Sequence, residues 1–220
     1  MTFDLFDNLD DPDHAGRRAE PLADGAVVLR AQARDAAPRL LEAVHAILAS
    51  APWRNMITPG GLRMSVAMTN CGGAGWVSDA NGYRYDSLDP LSGRPWPAMP
   101  EIFLELATQA AALAGFPDFM PDACLINRYV PGTRLSLHQD RDERDLRAPI
   151  VSVSLGLPAV FLFGGQRRAD RPARVRLVHG DVVVWGGPAR LTFHGVAPLA
   201  DGDHPLLGRE RINLTFRKAL

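Results

Sequence analysis

Apolar positions follow two periods along the chain, and the change from one to the other divides the sequence. Between Asp35 and Ala49, Leu40, Leu41, Val44, Ile47 and Leu48 recur on one helical face, with Asp35 placed to cap its start. A second helical period starts at Pro100, a residue favoured at a first helical position. It runs through Ile102, Phe103, Leu106, Ala110 and Leu113 and ends at Gly115. Ala26 to Leu29 reads as a buried strand, and Met64 to Asn70 alternates with Met64, Val66 and Met68 on one face. From Ala123 onward the period shortens. Ala123 to Tyr129, Ile150 to Leu157, Ala159 to Phe163, Val175 to Val178, Asp181 to Trp185, Leu191 to Val196 and Arg209 to Phe216 are short strands separated by Gly, Pro and Asp turns. Helices followed by many short strands predict an α+β, mainly β fold, a β-sandwich or jelly roll with helices packed outside.

Three segments lie outside this scheme. Met1 to Pro21, with Asp4, Asp7, Asp10, Asp11 and Asp13, is expected to be a loosely ordered acidic lead-in. Gly72, Gly73, Gly75 and Gly82 surround Trp76, with Tyr83 and Tyr85 following. Such a stretch either presents its aromatics as a stacking platform for a flat ligand or packs them to hold the loop on the body. Pro90, Pro95, Pro97 and Pro100 make a stiff connector.

At 220 residues, 46% hydrophobic and 22% charged, the chain suits one domain with a full core. A formal net charge of −1 provides no whole-molecule attraction to nucleic acid or anionic membrane, so such binding needs a local patch. Cys71 and Cys124 are too few for a disulfide framework, and no long apolar run predicts secretion or membrane insertion. A cytoplasmic protein is expected.

The candidate chemistry begins at Leu135-Ser136-Leu137-His138-Gln139-Asp140. On an extended chain, alternate side chains leave the same face, so an imidazole and a carboxylate at this spacing can share one metal ion. The pair asks for a second histidine, and His194, in Leu191 to Val196, is the best placed. His45 falls on a helix, His14 in the lead-in and His204 in a turn. His179-Gly180-Asp181 repeats the spacing, but Gly180 argues for a turn that would separate the two side chains. In the last strand Arg211, Asn213, Thr215 and Arg217 share a face opposite Ile212, Leu214 and Phe216. That polar face either meets solvent or points inward at an anion.

Together, His138-x-Asp140, His194 and Arg211-x-Asn213-x-Thr215-Phe216-Arg217 resemble the AlkB family of Fe(II)- and 2-oxoglutarate-dependent dioxygenases. The likeness includes Thr58 to Gly61, Met64 to Gly72 with Trp76, Pro95 to Pro100, Pro121 to Tyr129, Leu135 to Glu143, Ala148 to Leu157 and His179 to Gly187. It covers roughly Ala26 to Arg217. Neither the acidic lead-in nor the arginine-rich Gln166 to Arg176 is matched.

The resemblance implies one catalytic domain over 22–220, with a double-stranded β-helix (jelly roll) core at 121–217 and a nucleotide-recognition lid at 60–90. It implies Fe(II) on His138, Asp140 and His194, with 2-oxoglutarate and O2 as cosubstrates. Arg217, with Asn213, would meet the cosubstrate carboxylate near the metal, and Arg211, with Asn127 and Tyr129, the far one. The implied substrate is an N-alkylated base of the 1-methyladenine or 3-methylcytosine type. It would lie in single-stranded DNA, be flipped from a duplex, or lie in RNA. Trp76 and His138 would sandwich the base, with Met64 and Met68 lining the pocket, Asp142 facing the base, and Tyr83 and Arg168 near the phosphates. Formaldehyde, succinate and CO2 would be released, by a monomer without membrane attachment. An oxygenase acting on RNA or protein, and a non-enzymatic jelly-roll metal binder, are the alternatives at this point.

Overall fold

The short apolar runs pair into two facing antiparallel sheets and a separate hairpin in the computed structural model, which describes residues 16–220. In chain order the elements are β1 Arg18–Ala23, β2 Ala26–Arg30, α1 Ala37–Leu48, β3 Ala67–Gly72, β4 Gly75–Asp79, β5 Gly82–Asp86, α2 Glu101–Leu113, β6 Ala123–Tyr129 and β7 Leu135–His138. They continue with β8 Ile150–Gly156, β9 Ala159–Phe163, β10 Ala173–Leu177, β11 Val182–Trp185, β12 His194–Val196 and β13 Arg211–Arg217. The large sheet runs β1-β2-β11-β8-β13-β6-β3, the small one β10-β9-β12-β7, and β4-β5 stand alone.

Hydrophobic faces decide the layering. Leu40, Val44, Phe103 and Ala110 from the helices cluster with Val151, Val153, Leu214 and Phe216, covering the outer face of the large sheet. A second cluster, with Val28, Tyr129, Phe161, Phe163, Val183 and Trp185, fills the space between the sheets. This is the jelly roll with external helices that the periodicity predicts. Every residue of β8 and β13 is buried, because both strands are covered on both faces.

Strands β6 and β9 have the bounds predicted from the sequence, but other elements differ for local reasons. Arg18–Ala23 is a strand rather than part of a loose lead-in. It ladders onto β2, and Glu20 accepts ion pairs from Arg18 and Arg30 at 2.7 Å each. The acidic positions Asp4 to Asp13 and His14 lie outside the described residues. Asp35 does not cap α1. The N-cap is Ala36, and Asp35 instead pairs with Arg17 at 2.7 Å on the surface. Pro100 is the extended N-cap of α2 rather than its first helical residue, with φ −60° and ψ 144°. The end of α2 is as predicted. Gly115 takes φ +89°, its N–H donates to Ala112 and that of Phe116 to Ala111, which closes the last turn.

The glycine-rich segment is an ordered hairpin. Gly82 turns it with φ +113°, and β4 faces β5 with Trp76 opposite Tyr85 and Ser78 opposite Tyr83. Asn81-Gly82 is the turn signal that marks it. Strand β12 begins only at His194, since Thr192 N–H closes a turn on Ala189 and Phe193 N–H donates to Gly165. Among the described residues, no helix is long and apolar enough to cross a membrane.

Strand β12 is squeezed between β9 and β7. A Cβ on Gly195 would lie 2.6 Å from the Leu135 carbonyl oxygen and 3.1 Å from Ser136 C, both backbone atoms with little freedom to yield. Gly195→Ala should therefore force β12 from β7 and destabilise the protein by about 1–3 kcal/mol, the scale of overpacking. Urea unfolding measures this, and a midpoint equal to wild type would show that the strands part without cost.

Candidate active site

Pairing of β7 with β12 places His138 directly opposite His194, with ring centroids 4.4 Å apart. Asp140, just beyond β7, turns its carboxylate between them. Oδ1 lies 3.5 Å from His138 Nε2, and Oδ2 lies 3.7 Å from His194 Nε2. One ligand atom from each of the three residues falls within 4.8 Å of the other two, close enough to share one ion. The rest of the geometry fits a metal. His138 Nδ1 is 2.9 Å from the Ser136 carbonyl and His194 Nδ1 is 3.0 Å from that of Thr192. Carbonyl oxygens only accept, so both Nδ1 atoms carry a proton and the Nε2 atoms are the nitrogens turned toward Asp140. Burial, reinforced by the adjacent His138, pushes His194 down to about 4, which keeps its ring neutral near pH 7.

Arg217 holds the carboxylate. Its Nε and NH2 donate to Asp140 Oδ2 at 2.9 and 2.6 Å. Burial alone would push the Asp140 carboxyl up, but the Arg217 charge and the two histidines outweigh it and hold the group well below the usual carboxylate range. In this structure, then, Arg217 first serves a proposed metal ligand. Asn213 is engaged too, its Nδ2 donating to Ser152 Oγ at 2.8 Å and to the Val153 carbonyl at 2.9 Å. It braces the floor of the site.

Arg211 is the opposite case. It is 1% exposed, donates NH2 to Ser154 Oγ at 3.0 Å and lies 4.9 Å over the Tyr129 ring, yet its Nε and NH1 have no hydrogen-bond partner. Asn127 Oδ1 and Trp185 Nε1 are likewise unpartnered. Burial lowers the Arg211 pKa, as expected for a guanidinium removed from water without a counter-ion. Arg211, Trp185, Asn213, Arg217 and His194 all border one cavity between the sheets. A buried cation aimed into a cavity beside a two-histidine, one-carboxylate face calls for an anionic ligand that also reaches the metal. The polar face of β13 is thus inward.

The other sequence candidates fall into two groups. Met64, Met68 and Trp76 pack on the same inter-sheet cluster. Trp76 stacks on Tyr83 with centroids 5.6 Å apart and a 13° tilt, and its Nε1 donates to Asp142 Oδ2 at 2.8 Å. Arg168 stands exposed on the loop between β9 and β10. His179 and Asp181 have structural roles: Gly180 takes φ +88°, His179 Nδ1 accepts from Gly156 N–H, and Asp181 accepts from Arg30 at 2.6 Å. Sequence reasoning assigned no part to Glu143 or Arg190 and counted Tyr85 only among the aromatics of the glycine-rich stretch; all three lie around Asp140 and Arg217. Their partners are distant in the chain, so no local pattern marks them.

Comparison with known proteins gives a consistent result. Residues 25–217 match the 2OG-Fe(II) oxygenase superfamily. The alpha-ketoglutarate-dependent dioxygenase AlkB of Escherichia coli K12 is 60% identical over 200 residues, 91% of this chain and 93% of that protein. The DNA N(6)-methyladenine demethylase ALKBH1C of Arabidopsis thaliana is 36% identical over 67% of this chain and 38% of its own length. Among solved structures, OsALKBH1 superposes with a TM-score of 0.80 at 29% identity, covering 91% of this chain and all of the other.

Arg211 carries an unmet cost in the ligand-free protein. Arg211→Met should leave that form at least as stable as wild type, with a gain of up to about 1–3 kcal/mol from relief of unmade buried hydrogen bonds. It should also abolish the rise in Tm that 2-oxoglutarate produces. Thermal scans with and without 2-oxoglutarate decide it, and a retained ligand-induced rise would remove Arg211 from the cosubstrate site.

Proposed function

The chain belongs to the AlkB family of the 2OG-Fe(II) oxygenase superfamily, and from that premise we propose that it demethylates N-alkylated bases in DNA, acting as a cytoplasmic monomer. It is a 2-oxoglutarate-dependent dioxygenase. The observation that carries the reading is the convergence of the His138, Asp140 and His194 ligand atoms with the unpartnered Arg211 donors on one buried cavity.

Bound iron, with O2 and 2-oxoglutarate, supplies the oxidation that turns an N-methyl carbon into a hydroxymethyl group, which leaves as formaldehyde while the cosubstrate becomes succinate and CO2. The chain's part is placement. His138 and His194 would present their Nε2 atoms to the iron, and Arg217 keeps Asp140 ionised as the anionic ligand. Arg211, on the Tyr129 ring and beside Asn127, would take the far carboxylate of 2-oxoglutarate. Arg217, with Asn213 on the same face of β13, would adjoin the near one. The apolar cluster between the sheets excludes bulk water from the cavity.

The hairpin β4–β5 reads as the base-recognition lid. Trp76 is held by two contacts, the Tyr83 ring and the Asp142 carboxylate, so its face is set before substrate arrives. A flipped base would lie between Trp76 and His138, with Met64 and Met68 at the pocket wall and Asp142 turned to its exocyclic group. Tyr83 and Arg168, both exposed, would meet the phosphates. Loss of pairing at the alkylated base makes flipping less costly and favours damaged sites. Free, buried Cys71 and Cys124 accord with a reducing compartment.

Trp76→Ala should weaken binding of a methylated oligonucleotide by about 1–3 kcal/mol, the usual stacking contribution. Slow substrate-free conversion of 2-oxoglutarate to succinate should persist, since Trp76 makes no contact with the triad. Affinity and succinate release on one preparation test this, and unchanged affinity beside a lowered Tm would reduce Trp76 to a packing residue. Parallel assays on DNA and RNA of the same sequence rank the substrates.

A further inference from the structure

Two arginines approach Asp140 from different elements and hold it at different atoms. Arg217, on β13, donates twice to its carboxylate. Arg190, in the turn after β11, donates NH1 to its main-chain carbonyl at 2.6 Å. Glu143 joins the two: Oε2 accepts from Arg190 NH2 at 3.1 Å, and Oε1 lies 3.2 Å from Arg217 Nε. The result is a closed ring, Asp140–Arg217–Glu143–Arg190 and back to Asp140, whose four side chains are each less than a tenth exposed. Tyr85, on the hairpin strand β5, adds a hydroxyl donated to Glu143 Oε1 at 2.9 Å.

Two carboxylates against two guanidiniums make the ring neutral as a set. Apolar residues of similar volume would generally give equal or better stability than such a buried network, so stability is a poor account of it. What the ring does provide is a fixed place for Asp140. Its side chain is gripped by one arm and its backbone by the other, and Glu143 is the brace that keeps the arms together. Partners of this kind, which touch a ligand residue rather than the metal, set ligand direction and affinity.

We propose that Glu143 is a positioning residue of the metal centre, clamping Asp140 at side chain and main chain through Arg217 and Arg190, and that Tyr85 fastens the base-recognition hairpin to this clamp. The proposal rests on the reading of His138, Asp140 and His194 as metal ligands. Glu143→Gln keeps the shape but removes the charge and turns an amide N–H₂ toward a guanidinium, so one arm of the clamp loses its acceptor. Tyr85→Phe removes a single donor at the same atom.

Mn(II) binding to the full-length protein, without 2-oxoglutarate or oligonucleotide and well below the melting transition, reads the clamp directly. Glu143→Gln should bind Mn(II) about 10-fold more weakly than wild type, the low end of the scale for losing a partner that touches a ligand directly, since Glu143 acts one contact further out. Tyr85→Phe should move the affinity in the same direction by a smaller factor. Folded Glu143→Gln protein with wild-type Mn(II) affinity would overturn the proposal, even if its Tm fell, because a purely structural role moves only the Tm. If Glu143→Gln does not fold, Tyr85→Phe decides, and an unchanged Mn(II) affinity in it is the contrary result. Asp140→Ala separates the two levels. Its loss of Mn(II) binding beside an unaffected Glu143→Gln sinks the clamp alone, whereas wild-type binding by Asp140→Ala sinks the metal reading and the clamp with it.

Discussion

The buried pair between Asp140 and Arg217 is the contact on which the site depends, because it joins the two sheets and decides a charge state at once. Asp140 follows the edge strand of the small sheet, and Arg217 ends an interior strand of the large one. Without the guanidinium, burial would favour a protonated acid, a poor ligand for a divalent ion. With it the carboxylate stays ionised beside the two imidazole rings. The electrostatics that tie the sheets together also prepare the ligand set.

Strand β13 carries this economy along its length. Ile212, Leu214 and Phe216 pack beneath the helices, while Arg211, Asn213, Thr215 and Arg217 border the cavity between the sheets. Period-2 alternation thus assigns one face of a single strand to stability and the other to chemistry. The two arginines differ in what they lack. Arg217 is satisfied by Asp140 and Glu143, whereas Arg211, which borders the cavity, has no partner for Nε and NH1 among the described residues. A site with one arginine already engaged and another waiting is suited to orienting a dicarboxylate in one direction.

What the sequence shows and what it hides follow the range of the interactions. The His138-x-Asp140 spacing and the parity of β13 are local, and the structure agrees with both. The period change at Ala123 is also local, and β6 to β13 follow it, but β1, β2 and β3 of the large sheet precede it. His194 was reachable by elimination, since Gly180 disqualified the competing His179-x-Asp181 pair. Glu143 and Arg190 left no trace, and the bond of Tyr85 to Glu143 none either, because each acts through residues brought close only by the fold. The hairpin was missed for another reason. Its glycines made the stretch read as a loop, while Asn81-Gly82 between Trp76-Val77-Ser78 and Tyr83-Arg84-Tyr85 is a turn signal that outweighs them. Asp35 shows the reverse error, a good cap residue drawn away by Arg17.

The most direct test of the account is aerobic turnover on a single-stranded DNA oligonucleotide carrying one 1-methyladenine, with Fe(II) and 2-oxoglutarate, scored for base, formaldehyde and succinate together. Restored adenine with formaldehyde in equal amount, both dependent on 2-oxoglutarate and matched by succinate, is the predicted result. Succinate formed at the same rate with and without the oligonucleotide, and the methylated base left intact, would contradict it.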